Sequence, residues 1–185
     1  MRAVVVYESM FGTTRQIAEA IADGLADCFE VTLVEVDRVT PADFSSADLM
    51  VVGGPTHVHG MSRGTTRAEA VAWAHDPAKH VTLEPGAPGR GIRDWVSDPG
   101  TVVAPLFAAF STRADIPVIF SGDAATQIDR SLRRLASRRV VHAESFTAGK
   151  GDHLLGEEIV RARGWGSRVG SAAAALTAAA RAGTS

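Results

Sequence analysis

The chain has 185 residues, 45% of them apolar, with 19 basic and 21 acidic side chains and a formal charge of −2. That is enough for one ordinary domain with its own core. No run of about 18 apolar residues offers a membrane span, and the balanced charge points to neither nucleic acid nor a membrane surface. Cys28 is the only cysteine, so no internal disulfide can form and a reducing cytoplasm is the expected compartment. The opening "MRAVVVYESMFG" has neither a long apolar h-region nor a small-residue cleavage site, so no signal peptide is expected.

In chain order, "AVVVY" (3–7) reads as a buried strand, β-branched and bounded by turn residues. From Thr14 the period changes: Ile17, Ala18, Ile21, Ala22 and Leu25 share one helix face, with Gly24 as a closing signal. "EVTLVEV" (30–36) is a second strand. "VDRVTPADFSSAD" holds only a poorly defined second helix. "ADLMVVGG" (47–54) is a third strand, continuous enough to be covered on both faces. "TTRAEAVAWAHD" (65–76) reads as a helix with Thr66 and Glu69 spaced as a capping box.

"PAKHVTLEPGAPGRG" (77–91) is rich in Pro and Gly and reads as a loop. "IRDWVSD" (92–98) is one or two helical turns. "TVVAPLFAAF" (101–110) is the fourth strand. "IPVIF" (116–120) has strand composition, but it follows Phe110 too closely for a parallel crossover and is read as loop or short edge structure. "DAATQIDRSLRRLASR" (123–138) is a helix with Ile128, Leu132 and Leu135 on one face, and its basic run "SLRRLASRR" is a solvated surface. "RVVHAESF" (139–146) is the fifth strand. "GEEIVRARGWGSRVGSAAAALTAAA" (156–180) is a closing helix, weakened by Gly164 and Gly166. The expected organisation is a single domain over 1–181, irregular at about 77–100, with a disordered tail over 182–185.

Strand and helix alternate, which implies an α/β fold, a three-layer sandwich around a five-stranded parallel sheet. Ligands then bind beyond the carboxyl ends of the strands, where strand order reverses. Three loops follow strands 1, 3 and 4. The first, "ESMFGTT" (8–14), opens a helix. Its free N–H groups, the hydroxyls of Ser9, Thr13 and Thr14, and the freedom of Gly12 can cradle a phosphate. Equally, Thr13 with Gln16 can be a plain capping box. It is neither a phosphate-binding Walker loop nor a dinucleotide fingerprint. The second, "GGPTHVHGM" (53–61), joins a stiff Pro55 to a permissive Gly60 and can lie along a flat ring. His57 and His59 lack a third ligand, so no metal is expected. The third, "FSTRAD" (110–115), offers Phe110, two hydroxyls on Ser111 and Thr112, and the Arg113 fork.

"VVVYESMFGTTRQIAEAIADGL" (4–25) and "VVGGPTHVHGM" (51–61) resemble the two flavin loops of flavodoxin-like proteins, and "FSTR" followed by a helix and "ESF" resembles a flavodoxin-domain group of actinobacterial type. The resemblance implies a sheet of order 2-1-3-4-5 and flavin mononucleotide (FMN) as cofactor. It implies that Ser9, Met10, Phe11, Gly12, Thr13 and Thr14 bind the phosphate. Pro55, Thr56, His57, Val58, His59, Gly60 and Met61 would flank the ring, and Phe110, Ser111, Thr112 and Arg113 would close the pyrimidine side. No catalytic side chain is required. Phe11 stands where the family usually has a hydroxyl, and the chain's only tyrosine, Tyr7, lies inside the first strand. Three functions follow: electron transfer to a redox partner protein or FMN-dependent oxidoreduction, reduction of a quinone-type small molecule by NAD(P)H, or a non-catalytic module on the same fold. The segment 62–100 would cover the ring or build a homodimer contact.

Overall fold

A computed structural model describes residues 1–57, 60–114, 122–149 and 156–182. Val58 and His59, the segment "IPVIF" and residues 183–185 lie outside the described residues. The elements run β1 (Arg2–Tyr7), α1 (Thr13–Leu25), β2 (Glu30–Glu35), a 3-10 turn (Pro41–Phe44), β3 (Leu49–His57), β4 (Gly60–Met61) and α2 (Gly64–Ala74). They continue with a second 3-10 turn (Pro77–Lys79), α3 (Ile92–Ser97), β5 (Leu106–Ala114), α4 (Ala124–Arg134), β6 (Arg138–Arg139), β7 (Glu144–Ala148) and α5 (Gly156–Ala182).

The sheet order is β2-β1-β3-β5, with β6 and β7 both on the outer edge of β5. All of these pairings are parallel. The expected order 2-1-3-4-5 is therefore present, with the fifth position divided. β6 pairs Leu106 with Arg138 and Phe107 with Arg139, and β7 resumes at Phe110 with Glu144. The outer chain has more residues than β5 between those pairs, so it bulges. Val140 and Val141 in the bulge pack against the core. β4 adds a short antiparallel hairpin on the end of β3.

Alternating side chains divide the core into two faces. Ala3, Val5, Leu49, Val51 and Phe110 pack under α1 and α5. Val4, Val6, Met50, Val52 and Phe107 pack under α3, α4 and the Phe44 turn. The α1–α5 contact is close because glycines remove side chains from it. A β-carbon on Gly24 would strike the carbonyl oxygen of Arg163, and one on Gly166 would strike that of Ile21. Gly24 thus serves helix packing, and α1 continues past it to Leu25. Gly166 and Gly164 do not interrupt α5, a helix of 27 residues.

Other expectations shift. The β2–β3 connection contains only the 3-10 turn. Thr66 does not begin α2: the helix starts at Gly64, and Thr66 Oγ1 accepts from Arg63 N–H at 2.9 Å. The fourth strand is 106–114 and not 101–110, because Pro105 lacks an N–H while the stretch from Phe110 to Thr112 finds partners on β3 and β7 alike. For the same reason β3 runs on to His57 instead of turning at Gly54. Two stretches expected as loops are thus largely strand. No described helix is long and apolar enough to cross a membrane.

Candidate functional site

β1 ends at Tyr7, and Glu8 N–H still donates to Gly53 O at 3.0 Å, which keeps the next loop against β3. The chain then turns into α1 through Gly12, at φ 92°, a conformation that side chains disfavour. Gly12 N–H donates to Ser9 Oγ at 3.1 Å, and Gln16 N–H donates to Gly12 O at 3.0 Å. The Thr13–Gln16 capping box does not form: Gly12 is the N-cap, with no side-chain cap. The N–H groups of Thr13, Thr14 and Arg15 have no acceptor among the described residues. These donors, at the positive end of a helix, are what an anion requires.

The third candidate segment divides by strand alternation. Phe110 is fully buried against Phe146 and Trp165; its ring belongs to the core, not to the mouth of the site. Ser111 is also fully buried, and its Oγ bonds Asp123 Oδ1 at 3.3 Å and Ser145 Oγ at 2.9 Å. Thr112 shares the Phe110 face, opposite Ser111, and meets Thr14, hydroxyl to hydroxyl, at 2.7 Å. Arg113 Nη1 donates to Ala114 O at 3.4 Å. The structure therefore joins the first and third segments through Thr14 and Thr112.

In the second segment, Pro55 pairs with Thr112 in the sheet. Thr56 Oγ1 accepts from Ala124 N–H at 3.2 Å. Met61 N–H donates to Gln127 Oε1 at 3.1 Å. Gly60 does not have a left-handed backbone. Glycine is needed there because a β-carbon would strike the Gln127 amide. His57 Nε2 is buried with no hydrogen-bond partner among the described residues, and burial pushes the imidazole pKa down, with Glu69 opposing.

A second set of residues, not singled out in the sequence, surrounds the first loop. The carboxylate of Glu8, 4% exposed, accepts from Ser62 Oγ and, at 2.8 Å, from Ile92 N–H. Arg67 donates to Ser62 Oγ at 3.1 Å and to Asp94 at 2.5 Å. Arg93 donates to Ser62 O at 2.9 Å and Met61 O at 2.7 Å. Burial pushes the Glu8 pKa up, against the lowering effect of Ser62, Ile92 N–H and Arg67. The only sequence signal was a carboxylate next to an apolar run. Phe11 also finds its place here. With Met10 it packs on Ala70, Leu83 and Ala87, so its ring anchors the segment that crosses the loop. That segment is further held by Glu84 N–H to Met10 O at 2.8 Å and Arg90 N–H to Asp37 at 3.2 Å.

Comparison with known proteins agrees with this geometry. A family model described as flavodoxin matches residues 5–85. No curated protein sequence matches the chain. Among solved structures, a flavodoxin from the domain Archaea superposes with TM-score 0.62 at 17% identity, covering 94% of this chain and 99% of that one. Oxidised Flavodoxin 1 from Bacillus cereus superposes at 0.63 and 13% identity, covering 91% and 97%. The fold is flavodoxin-like. A flavodoxin, WrbA-like protein from Agrobacterium tumefaciens has the same arrangement at TM-score 0.59 and 19% identity, over 93% of this chain and 96% of that one. In this flavodoxin-like fold the first loop occupies the switch point between β1 and β3, and its uncommitted donors fit a phosphate. Among the described residues no three His, Cys, Asp or Glu side chains form a metal-binding group.

Proposed function

We propose that the protein binds FMN across the carboxyl ends of β1, β3 and β5 and acts in electron transfer or as an FMN-dependent oxidoreductase in the cytoplasm. The observation that carries this reading is the set of N–H donors on Thr13, Thr14 and Arg15 with no acceptor among the described residues, beside the Thr14–Thr112 hydroxyl pair. Support comes from the flavodoxin family match, which begins in β1 and spans this loop. Ser9, Met10, Phe11, Gly12, Thr13 and Thr14 would hold the phosphate, Met10 and Phe11 through their backbone. Pro55, Thr56, His57, Val58, His59, Gly60 and Met61 would flank the ring, with Thr112 and Arg113 on its other side. Phe110 and Ser111 drop out of this set because their side chains are committed elsewhere.

When bound, FMN would supply one- and two-electron chemistry, while the protein sets its position and potential. The chain's own contribution is binding and orientation: amides for the phosphate, a strand pair beneath the ring, and His57, whose imidazole pKa burial pushes down and whose buried Nε2 has no hydrogen-bond partner among the described residues. A second reading within the class is an NAD(P)H-dependent reductase of quinone-type acceptors, acting as a homodimer. It is favoured by the built segment 62–98 beside the site, which gives a small acceptor something to lie against. The purified protein should be yellow, or should quench added FMN fluorescence with saturation. Colourless protein that binds no added FMN would leave only the non-catalytic module. Stepwise one-electron reduction would favour the carrier, and rapid quinone turnover with NADPH the reductase.

A further inference from the structure

The segment that crosses the first loop brings a charge with it. Arg15 Nε donates to both carboxylate oxygens of Glu84, at 3.2 and 3.1 Å, and Arg15 Nη1 donates to Glu19 at 2.8 Å. Glu84 is held in place by its backbone as well, through Met10 O. Its Oε1 lies 3.2 Å from where a β-carbon on Gly12 would stand, and Gly12 is the residue that opens α1. The Glu84 side chain is only 17% exposed, so solvent screens it incompletely. Neither oxygen accepts from the N–H groups of Thr13, Thr14 or Arg15. A fixed negative charge therefore stands beside the donors without satisfying them, and the adjacent guanidinium is committed to two carboxylates.

We propose that Glu84 is a specificity-determining residue that limits how strongly this site prefers a phosphorylated flavin to an unphosphorylated one. The proposal rests on the FMN reading above. Two effects act together: the carboxylate repels an incoming phosphate, and it holds Arg15 away from it. FMN and riboflavin differ only in the phosphate, so the ratio of their affinities isolates this site. Contacts to the ring and sugar chain cancel.

The experiment titrates FMN and riboflavin separately into flavin-free protein and follows fluorescence quenching, for the parent chain and for Glu84→Gln and Arg15→Gln. Glu84→Gln should raise the FMN-to-riboflavin affinity ratio about tenfold, with a larger rise at low salt. Arg15→Gln leaves Glu84 uncompensated and should lower the ratio. Thermal melting of each flavin-free variant checks that it is folded. If one variant does not fold, the other decides. An unchanged ratio, or a ratio that falls in Glu84→Gln, overturns the role of Glu84 while FMN binding stands. A parent chain that binds neither flavin overturns the FMN reading itself, and this proposal with it.

Discussion

The α1–α5 face of the sheet and the loop end of β1 are held by different physics. Under α1 and α5 the contact is apolar and glycine-mediated, with Ile17, Ile21, Leu25, Trp165 and Val169 nearly or fully buried. Between β1, α2 and α3 the contact is polar: a buried carboxylate, two arginines and a serine tie the segment after β4 to the end of β1. The first arrangement gains from burial and close packing, and any extra atom disturbs it. The second gains little net energy per bond, but leaving any partner unmade is costly. The polar side is also where the candidate ligand loop sits. Rigid packing therefore supports the site from one side, and a charge network shapes it from the other.

The comparison is tested most severely at the glycines. Gly24→Ala and Gly166→Ala should each destabilise the protein by about 2–3 kcal/mol in denaturant unfolding, from overpacking against a backbone carbonyl. Glycine to alanine in an open helix would instead stabilise by about 1 kcal/mol. A stabilising result at either position would remove the close crossing. On the polar side, Glu8→Ala should cost about 2 kcal/mol, since Ile92 N–H and Ser62 lose their acceptor. If Glu8→Ala is neutral, the network is not what holds this side.

Glu8 also predicts a pH dependence. Burial raises its folded pKa above the ordinary 4.5. Its contribution to stability is then full below the unfolded pKa and lost as pH rises through the folded one. Unfolding midpoints measured from about pH 4 upward should fall in the parent chain relative to Glu8→Gln, which has no charge to bury. Parallel curves would contradict this. Thr14→Val should cost about 1 kcal/mol, because the Thr112 hydroxyl loses its partner, and it should weaken FMN binding. The smallest effect is expected at Arg15→Gln: an ion pair whose arginine is partly exposed contributes about 0–1 kcal/mol to folding, even though the same change shifts ligand preference. A large loss of stability there would make the pair structural.

Much of the fold could be read from period and turn chemistry. The runs 3–7 and 30–36 became β1 and β2 nearly as expected, because a buried parallel strand is a short β-branched run between turn residues. The boundaries of β3 and β5 could not be read. "GGPTH" and "FSTRA" have loop composition and become strand only because each supplies hydrogen-bond partners to the other across the register from Gly53–Phe110 to Pro55–Thr112. Of the candidate site, Gly12, Thr13 and Thr14 were recognisable from residue type next to a helix start. Ser111 was not separable from Thr112, since a single-residue change of face depends on strand pairing, and Phe110 was not separable because its burial against Phe146 and Trp165 is a tertiary contact.

From the sequence alone came the alternating α/β plan, the position of the hydroxyl-rich loop at a switch point, and the absence of any internal disulfide. Those depend on local pattern and composition, which a linear chain carries by itself. Only the tertiary structure decided that Phe11 anchors a crossing segment, that Glu8 is buried within a network built by residues 62–94, and that Glu84 stands beside Gly12. Each of these joins groups far apart in sequence. Their burial and charge environment exist only once the chain has brought them together.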